Sequence, residues 1–404
     1  MTAFPAPSRR RFLTVLGAAG IPLRHFHAGE TPLLVGQIGV RHPHAAGKME
    51  AMRNLNDLFR VVGVVEPDSQ SRAKASQEKA YEGLPWMTEA ELLAVPGLKM
   101  VAVETRMEDL EATATRVLAA GKHVHLDKPG WEDHAAFRKM RRMAEQAGLT
   151  VQMGYMLRYN PAFALLFKAH REGWLGDILE IDASMGKLAS ADMRVELGRL
   201  QGGGMFELAG HLIDAVLTLL GPPDQVISHN RRTRAPKDSF ADNQLAVLAY
   251  PKALVTIRCN HADPFGGPRR RFMVTGSKGT FEIAPLESGK VRLSLDHDAG
   301  GYAKGIQEIH CPLPGGRYDG DFIDLAKVVQ GAKSLAWNAD HDIAVHETLC
   351  RASGFRSRAD ESAAEILLAE NFDSISDQHR PAKKIVLKIK GNRGPTIGAV
   401  QKGR

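Results

Sequence analysis

The chain has 404 residues, 44% of them hydrophobic, so it can bury a sizeable core and should divide into two or three domains. Its formal charge of +7 is concentrated in residues 9–11 and 383–404, and the nearly balanced middle lacks the basic face and recognition element that nucleic-acid binding requires. Three widely spaced cysteines, Cys259, Cys311 and Cys350, argue against a disulfide framework or a zinc site, and no apolar run approaches the ~20 residues that span a bilayer.

The N-terminus carries a targeting pattern. Ser8-Arg9-Arg10-Arg11-Phe12-Leu13, followed by the short, weakly apolar run 14–23, resembles a twin-arginine export signal, which carries folded proteins across the bacterial inner membrane. Phe26-His27-Ala28 is a distant version of the usual Ala-x-Ala cleavage site. Residues 1–30 are therefore expected to be a signal or flexible N-terminus of a periplasmic protein that loads a cofactor before export. The alternative is a basic tail on a cytoplasmic protein.

From residue 32, strands alternate with helices. The apolar runs predict strands at 33–38, 60–65, 100–103, 123–126 and 150–153, and helices at 44–58, 69–81, 89–95, 110–120 and 131–147. Repeated βα units of this length predict an α/β fold, a doubly wound parallel sheet of Rossmann type over residues 31–153. The rhythm then changes: a helix at 161–172, a strand at 178–185, a loop at 186–203 and a helix at 205–220. Strand-like runs follow at 226–229, 244–249, 254–260, 271–275, 280–283 and 291–295, with Gly276-Ser277-Lys278-Gly279 as a hairpin turn. Residues 154–357 are expected to form an α+β domain with an open, largely antiparallel sheet, closed by helices at 319–330 and 342–353. Residues 358–404 read as an extension ending in a loose basic tail.

A helix over 205–220 would align Glu207, His211, Asp214 and Thr218 in one polar stripe on an otherwise apolar cylinder. Buried polar groups need partners, so the stripe either lines a site or Glu207 and His211 satisfy each other. The turn Gly36-Gln37-Ile38-Gly39-Val40-Arg41-His42-Pro43-His44 lies where a dinucleotide phosphate loop belongs. Gly39 keeps the tight turn, while Arg41 and His44 occupy the second and third glycine positions of G-x-G-x-x-G. Arg41 could replace a backbone contact to phosphate with a charged one. Glu66, ending the second strand, can accept hydrogen bonds from the adenosine ribose and would repel a 2′-phosphate, favouring NAD over NADP. In Asp127-Lys128-Pro129 the proline fixes the backbone beyond a lysine at a strand's carboxyl end, where ligands of doubly wound sheets sit. That ammonium can orient a substrate hydroxyl and stabilise charge on its oxygen.

Gly121-Lys122-His123-Val124-His125-Leu126-Asp127-Lys128-Pro129, then Gly154-Tyr155-Met156-Leu157-Arg158-Tyr159-Asn160-Pro161, then Gly202-Gly203-Gly204-Met205-Phe206-Glu207 with His211 and Asp214, together resemble the glucose-fructose oxidoreductase and inositol dehydrogenase (Gfo/Idh/MocA) family. The resemblance runs from about residue 33 to 355, including Tyr318-Asp319-Gly320-Asp321-Phe322. It implies a Rossmann domain, a bound nicotinamide cofactor and a C-terminal open sheet that often mediates homo-oligomerisation. The family's Glu-Lys-Pro is matched by Asp127-Lys128-Pro129, and its Asp-x-x-x-His by Glu207 and His211. Its Thr-Pro-Asn-x-x-His segment is here Thr105-Arg106-Met107-Glu108-Asp109-Leu110, which marks a divergent branch. On this footing Gly39, Arg41, His44, Glu66, Thr105, Asp127, Lys128 and Pro129 are expected at the cofactor, and Arg158, Tyr159, Lys187 and Asp214 at the substrate.

The expected reaction is hydride transfer between NAD and a secondary hydroxyl carbon of a sugar, cyclitol or related polyol. His211 would act as base, Glu207 would fix its tautomer, and Lys128 would hold the oxygen. Two other readings stay open: glycoside cleavage through transient oxidation and elimination with NAD recycled in each turnover, and a non-catalytic nucleotide-binding sensor.

Overall fold

The structure, a computed structural model, describes residues 31–355. The expected export signal and the basic C-terminal tail lie outside these residues. Two sheets organise the described chain. The first is built from β1 (Leu33–Ile38), α1 (Ala45–Asn54), β2 (Phe59–Val65), α2 (Ser69–Ala75), β3 (Trp86–Met87), α3 (Glu89–Leu93), β4 (Leu98–Val103), α4 (Leu110–Ala119), β5 (His123–Leu126), α5 (His134–Gln146) and β6 (Val151–Met153). Its six strands run parallel in the order β3-β2-β1-β4-β5-β6, with the register Leu33↔Phe59 and Val101↔Val124. Strands β1 and β4 are buried along almost their whole length because helices cover both faces, which is why they read as continuous apolar runs. The order reverses between β1 and β4, and that switch point opens the crevice in which a doubly wound sheet takes its ligand.

The second part follows: α6 (Pro161–Arg171), β7 (Ile178–Gly186), α7 (Ala191–Leu197), α8 (Gly203–Leu208), α9 (Gly210–Leu220), β8 (Gln225–Arg231), β9 (Asn243–Ala249), β10 (Leu254–Asn260), β11 (Arg271–Gly276), β12 (Gly279–Ile283), β13 (Lys290–Leu295), β14 (Gly305–His310), α10 (Asp319–Val329) and α11 (Ala339–Ala352). Eight strands form one sheet in the order β14-β13-β12-β11-β7-β10-β9-β8, antiparallel except where β10 runs parallel to β7. Alternation along β9, β11 and β12 turns Leu248, Phe272, Val274 and Phe281 inward. There Phe163 of α6 meets Phe272 edge-on at 5.3 Å. α10 returns to the parallel sheet, stacking Phe322 on His125 at 4.7 Å and meeting Phe59 at 5.9 Å.

Several element boundaries differ from the sequence expectation, each for a local reason. The helix expected to reach 58 stops at Asn54, and Leu58 is buried by the following turn instead of a helix face. The helix expected over 69–81 ends at Ala75, and a separate 3₁₀ turn, Lys79–Tyr81, buries Tyr81. Asp133 caps α5 by accepting from Ala136 N, which delays its start to His134. The expected loop 186–203 contains α7, capped by Ser190. β14 and the short β3 were absent from the expectation. β14 is an edge strand whose Ile306 is exposed, so it lacks an apolar run.

The single helix expected over 205–220 is interrupted at Ala209. Leu212 N bonds back only three residues, to Ala209 O, so α8 and α9 are separate cylinders. Glycines around the break allow close packing: a Cβ on Gly204 would stand 2.3 Å from His261 Nδ1, and one on Gly210 would stand 3.0 Å from the Tyr155 ring.

A closed ionic network joins α5, α9 and α11. Arg158 Nη2 meets Asp214 and Asp342 at 2.6 Å each, and Arg141 Nη2 meets Asp342 at 2.7 Å, all essentially without solvent. Removing one member leaves an uncompensated charge in the core, so Asp342→Ala should cost about 3–5 kcal/mol of stability in urea denaturation. Asp342→Asn, which keeps part of the hydrogen bonding, should cost less.

Candidate active site

β1 ends at Ile38 and the chain turns at Gly39, φ +90°, where a Cβ would stand 2.5 Å from Thr105 N. The turn is seated on the β4 end by His42 N donating to Glu104 O at 3.1 Å. Glu66 is buried at the end of β2, accepting from Val40 N at 3.1 Å and Asp68 N at 3.0 Å. It therefore braces the turn from below, and any ribose hydroxyl must share a carboxylate that already holds two amides. Exposed Arg41 and half-buried Arg106 face a cleft of about 270 Å³ with Met107, Trp131 and the α7 residues Asp192 and Glu196. Thr105 is half-buried at its edge, its hydroxyl donating to Arg106 O at 3.1 Å.

This donor set suits a dinucleotide. The switch-point crevice and the glycine turn match what a pyrophosphate needs, and Gly39 and Arg41 would hold it, while Arg106 is already paired with Glu108 at 2.7 Å and Asp109 at 3.0 Å.

Beneath the turn lies a buried ionic cluster that the sequence reading did not identify. Asp127 Oδ2 receives His42 Nδ1 at 2.8 Å, His44 Nδ1 at 3.1 Å and Lys48 Nζ at 2.8 Å. Lys48 also reaches Glu104 at 3.0 Å. Burial and the neighbouring Asp127 push the Glu104 carboxyl well above its usual range. Burial opposes the charge on Asp127, but His42, Lys48 and His44 hold it well below the usual range. The two acids are thus pushed in opposite directions, with Lys48 between them. His42, His44 and Asp127 each present a donor within 4.8 Å of the others, the only such metal-ligand grouping among the described residues. The Lys48 ammonium already occupies the cation's place beside Asp127. Asp127 and His44, expected at the cofactor, therefore face each other, and their carboxylate and imidazole are engaged below the turn. Lys48 was legible as a basic residue on the apolar face of α1, one turn after His44.

Lys128 stands at the carboxyl end of β5, joined to Pro129 by a cis peptide. Its Nζ donates to the carbonyl of Glu207 at 2.8 Å and lies 3.6 Å from that residue's carboxylate. The carboxylate also meets Lys187 Nζ and His261 Nε2, each at 3.0 Å. Burial works against the charge on Glu207, but Lys128, His261 and Lys187 hold it well below the usual range. Glu207 was expected to fix the tautomer of His211. The break at Ala209 turns the two apart: Glu207 goes to the lysines and His261, while His211 Nδ1 has no hydrogen-bond partner. The imidazole of His211 meets the Tyr155 ring edge-on at 5.9 Å, and burial, then Lys128, push its pKa well below the usual histidine value. His261, just beyond β10, was missed. The available signal was a polar residue directly following an apolar strand.

The expected substrate contacts divide. Lys187 is partly exposed beside Glu207. Arg158 and Asp214 are locked in the buried ionic network, and His341 Nε2 adds to Asp214 at 3.0 Å. The Tyr159 hydroxyl donates to Asp324 at 3.1 Å and accepts from Gln152. In this structure the Arg158–Asp214 pair and the Tyr159 hydroxyl are each engaged with other side chains of the fold.

Residues 33–155 match the model described as an oxidoreductase family with an NAD-binding Rossmann fold, and residues 163–282 match the GFO/IDH/MocA C-terminal domain. The uncharacterized oxidoreductase YhhX of Escherichia coli is 30% identical over 194 residues, covering 47% of this chain and 54% of that protein. Trans-1,2-dihydrobenzene-1,2-diol dehydrogenase of Bos taurus is 27% identical over 193 residues, 47% of this chain and 56% of that protein. The chain thus spans about half the length of the curated relatives it matches. Levoglucosan dehydrogenase, solved with NADH and levoglucosan, shares the fold with a TM-score of 0.69 at 16% identity, covering 80% of this chain and 97% of that one.

Burial, only partly offset by Asp127, holds the His44 imidazole down to about 4. An unfolded histidine titrates near ~6.5, so between these values the unfolded chain takes up the proton that the folded one refuses. Stability should therefore fall as pH drops from ~6.5 to 4. A His44→Gln variant should show a shallower dependence of melting temperature on pH across that window.

Proposed function

The chain belongs to the Gfo/Idh/MocA family of NAD-binding oxidoreductases, and from that premise we propose that it moves a hydride between NAD and a secondary hydroxyl carbon of a sugar, cyclitol or related polyol. The observation that carries this reading is Lys128, which leaves the first sheet at its ligand-binding end and lands on Glu207 in the second part of the chain, four residues before His211. NAD supplies the hydride acceptor or donor. Everything else falls to side chains of this chain. Lys128 holds the substrate oxygen and stabilises negative charge there, since a buried ammonium with an unspent N–H acts strongly away from water. His211, kept neutral by its burial, is ready to take the hydroxyl proton. Glu207 does not orient His211. It holds Lys128 and Lys187 in position, with His261 behind it.

NAD in preference to NADP remains part of this proposal, supported by the acid at the end of β2. So does export through the twin-arginine-like segment. We also include assembly of copies through the outer face of the eight-stranded sheet, where Leu254 is 60% and Ile227 44% exposed.

Lys128→Ala and His211→Ala should each lower kcat by about 100-fold or more while the protein still retains NAD. Turnover followed at the nicotinamide absorbance with a polyol panel checks this, and near-normal rates in both variants would sink the assignment. The acid limb of the kcat/KM profile for oxidation should fall below pH ~6.5, the ordinary histidine value, because the His211 pKa is depressed. For assembly, light scattering should show a smaller species for the Leu254→Glu, Ile227→Glu double variant than for the parent.

A further inference from the structure

The substrate side of the site is ringed by more positive than negative side chains. Lys128 and Lys187 both converge on Glu207, at 3.6 and 3.0 Å. Beside Lys187, Arg270 donates from Nε to the carbonyl of Gly186 at 3.1 Å and approaches Glu287 at 3.6 Å. Glu287 holds Arg317 at 2.9 Å. Arg317 in turn rests on the sulfur of Met156, next to the Tyr155 ring that meets His211. These contacts run as one chain from Lys128 to Arg317, and its four cations meet two carboxylates.

Exposure is graded along it. The Lys128 side chain is 3% exposed, Lys187 24% and Arg317 42%, so Lys128 is the dry end of the chain of contacts and the other cations stand nearer to solvent. Asp127 does not make up the balance, because Lys48 and two histidines already engage it below the turn. Partly buried cations with too few counter-charges gain most from an anion, and the guanidinium fork matches a carboxylate or a phosphate. A neutral polyol would leave that excess charge unpaired.

We propose that the reacting polyol carries an anionic group, a carboxylate or a phosphate, which docks between Lys187 and the Arg270–Arg317 pair while its secondary hydroxyl lies at Lys128 and His211. This rests on the dehydrogenase reading above. Lys187, Arg270 and Arg317 are specificity residues in this scheme, not catalytic ones, and Glu207 keeps Lys187 extended toward the incoming charge.

The full-length protein loaded with NAD can be titrated with D-gluconate, D-glucuronate, D-glucose 6-phosphate, D-glucose and myo-inositol, with binding read by calorimetry and turnover at the nicotinamide absorbance. At least one anionic probe should bind and turn over with a kcat/KM about 10-fold or more above the neutral probes, and the preference should shrink as salt rises. Selection of gluconate or glucuronate assigns a carboxylate; selection of glucose 6-phosphate assigns a phosphate. Arg317→Gln and Arg270→Gln should lower the value for the anion at least ~10-fold more than for a neutral polyol. The proposal is overturned if no anionic probe binds, if neutral probes bind equally well, or if the preference survives both substitutions. Oxidation of neutral polyols without an anion preference would overturn it while leaving the dehydrogenase reading standing. Anion-selective binding lost in the arginine variants, with no hydride transfer from any probe, would uphold the docking and overturn the dehydrogenase reading.

Discussion

The arrangement depends on what a buried ammonium must have. Lys128 is almost solvent-free, and burial lowers its pKa, so its charge survives only where acceptors reach it. The interruption at Ala209 provides one: the carbonyl of Glu207 accepts from Lys128 Nζ at 2.8 Å, and the same residue's carboxylate stands behind it. One side chain from the parallel sheet is thereby tied to the helices of the second part of the chain. One of the contacts between the two parts is consequently also the place of the proposed chemistry.

The two family acids have exchanged reach, and each finds its partners in a different part of the fold. Asp127 is short enough to stay beneath the turn, where His42, His44 and Lys48 compensate it. Glu207, turned from His211 by the break at Ala209, meets Lys187 and His261. His44, at a position where a dinucleotide turn ordinarily has glycine, and the neighbouring His42 thus gain a structural reason. They anchor the turn to β5 through Asp127, in place of the close backbone approach that glycines allow. Arg41, on the exposed side of the same turn, faces the cleft beside Arg106.

Burial in the second part separates structural charges from functional ones. Arg158, Asp214 and Asp342 form a dry set between helices, paired because a buried charge without a partner is costly. Lys187, Arg270 and Arg317 are partly wet and incompletely balanced. Residue type alone does not distinguish these two groups, because a buried arginine and a ligand-seeking one share the same chemistry and differ only in what surrounds them.

The sequence by itself determined the two-part architecture, because apolar periodicity and glycine punctuation reflect backbone geometry that acts within a few residues. The parallel sheet, the largely antiparallel sheet, the Gly276–Gly279 hairpin turn and the placement of Lys128 at a strand end were legible for that reason. Tertiary structure alone decided the partners. Whether Glu207 meets His211 depended on a one-residue interruption beside glycines that pack closely on His261 and Tyr155, and helical spacing could not carry that information. Arg158 and Asp214 looked like substrate ligands because polar residues near a motif do. Their burial against Asp342, more than a hundred residues later, turned them inward. Long-range burial and charge pairing, set by which helices pack together, fixed those roles.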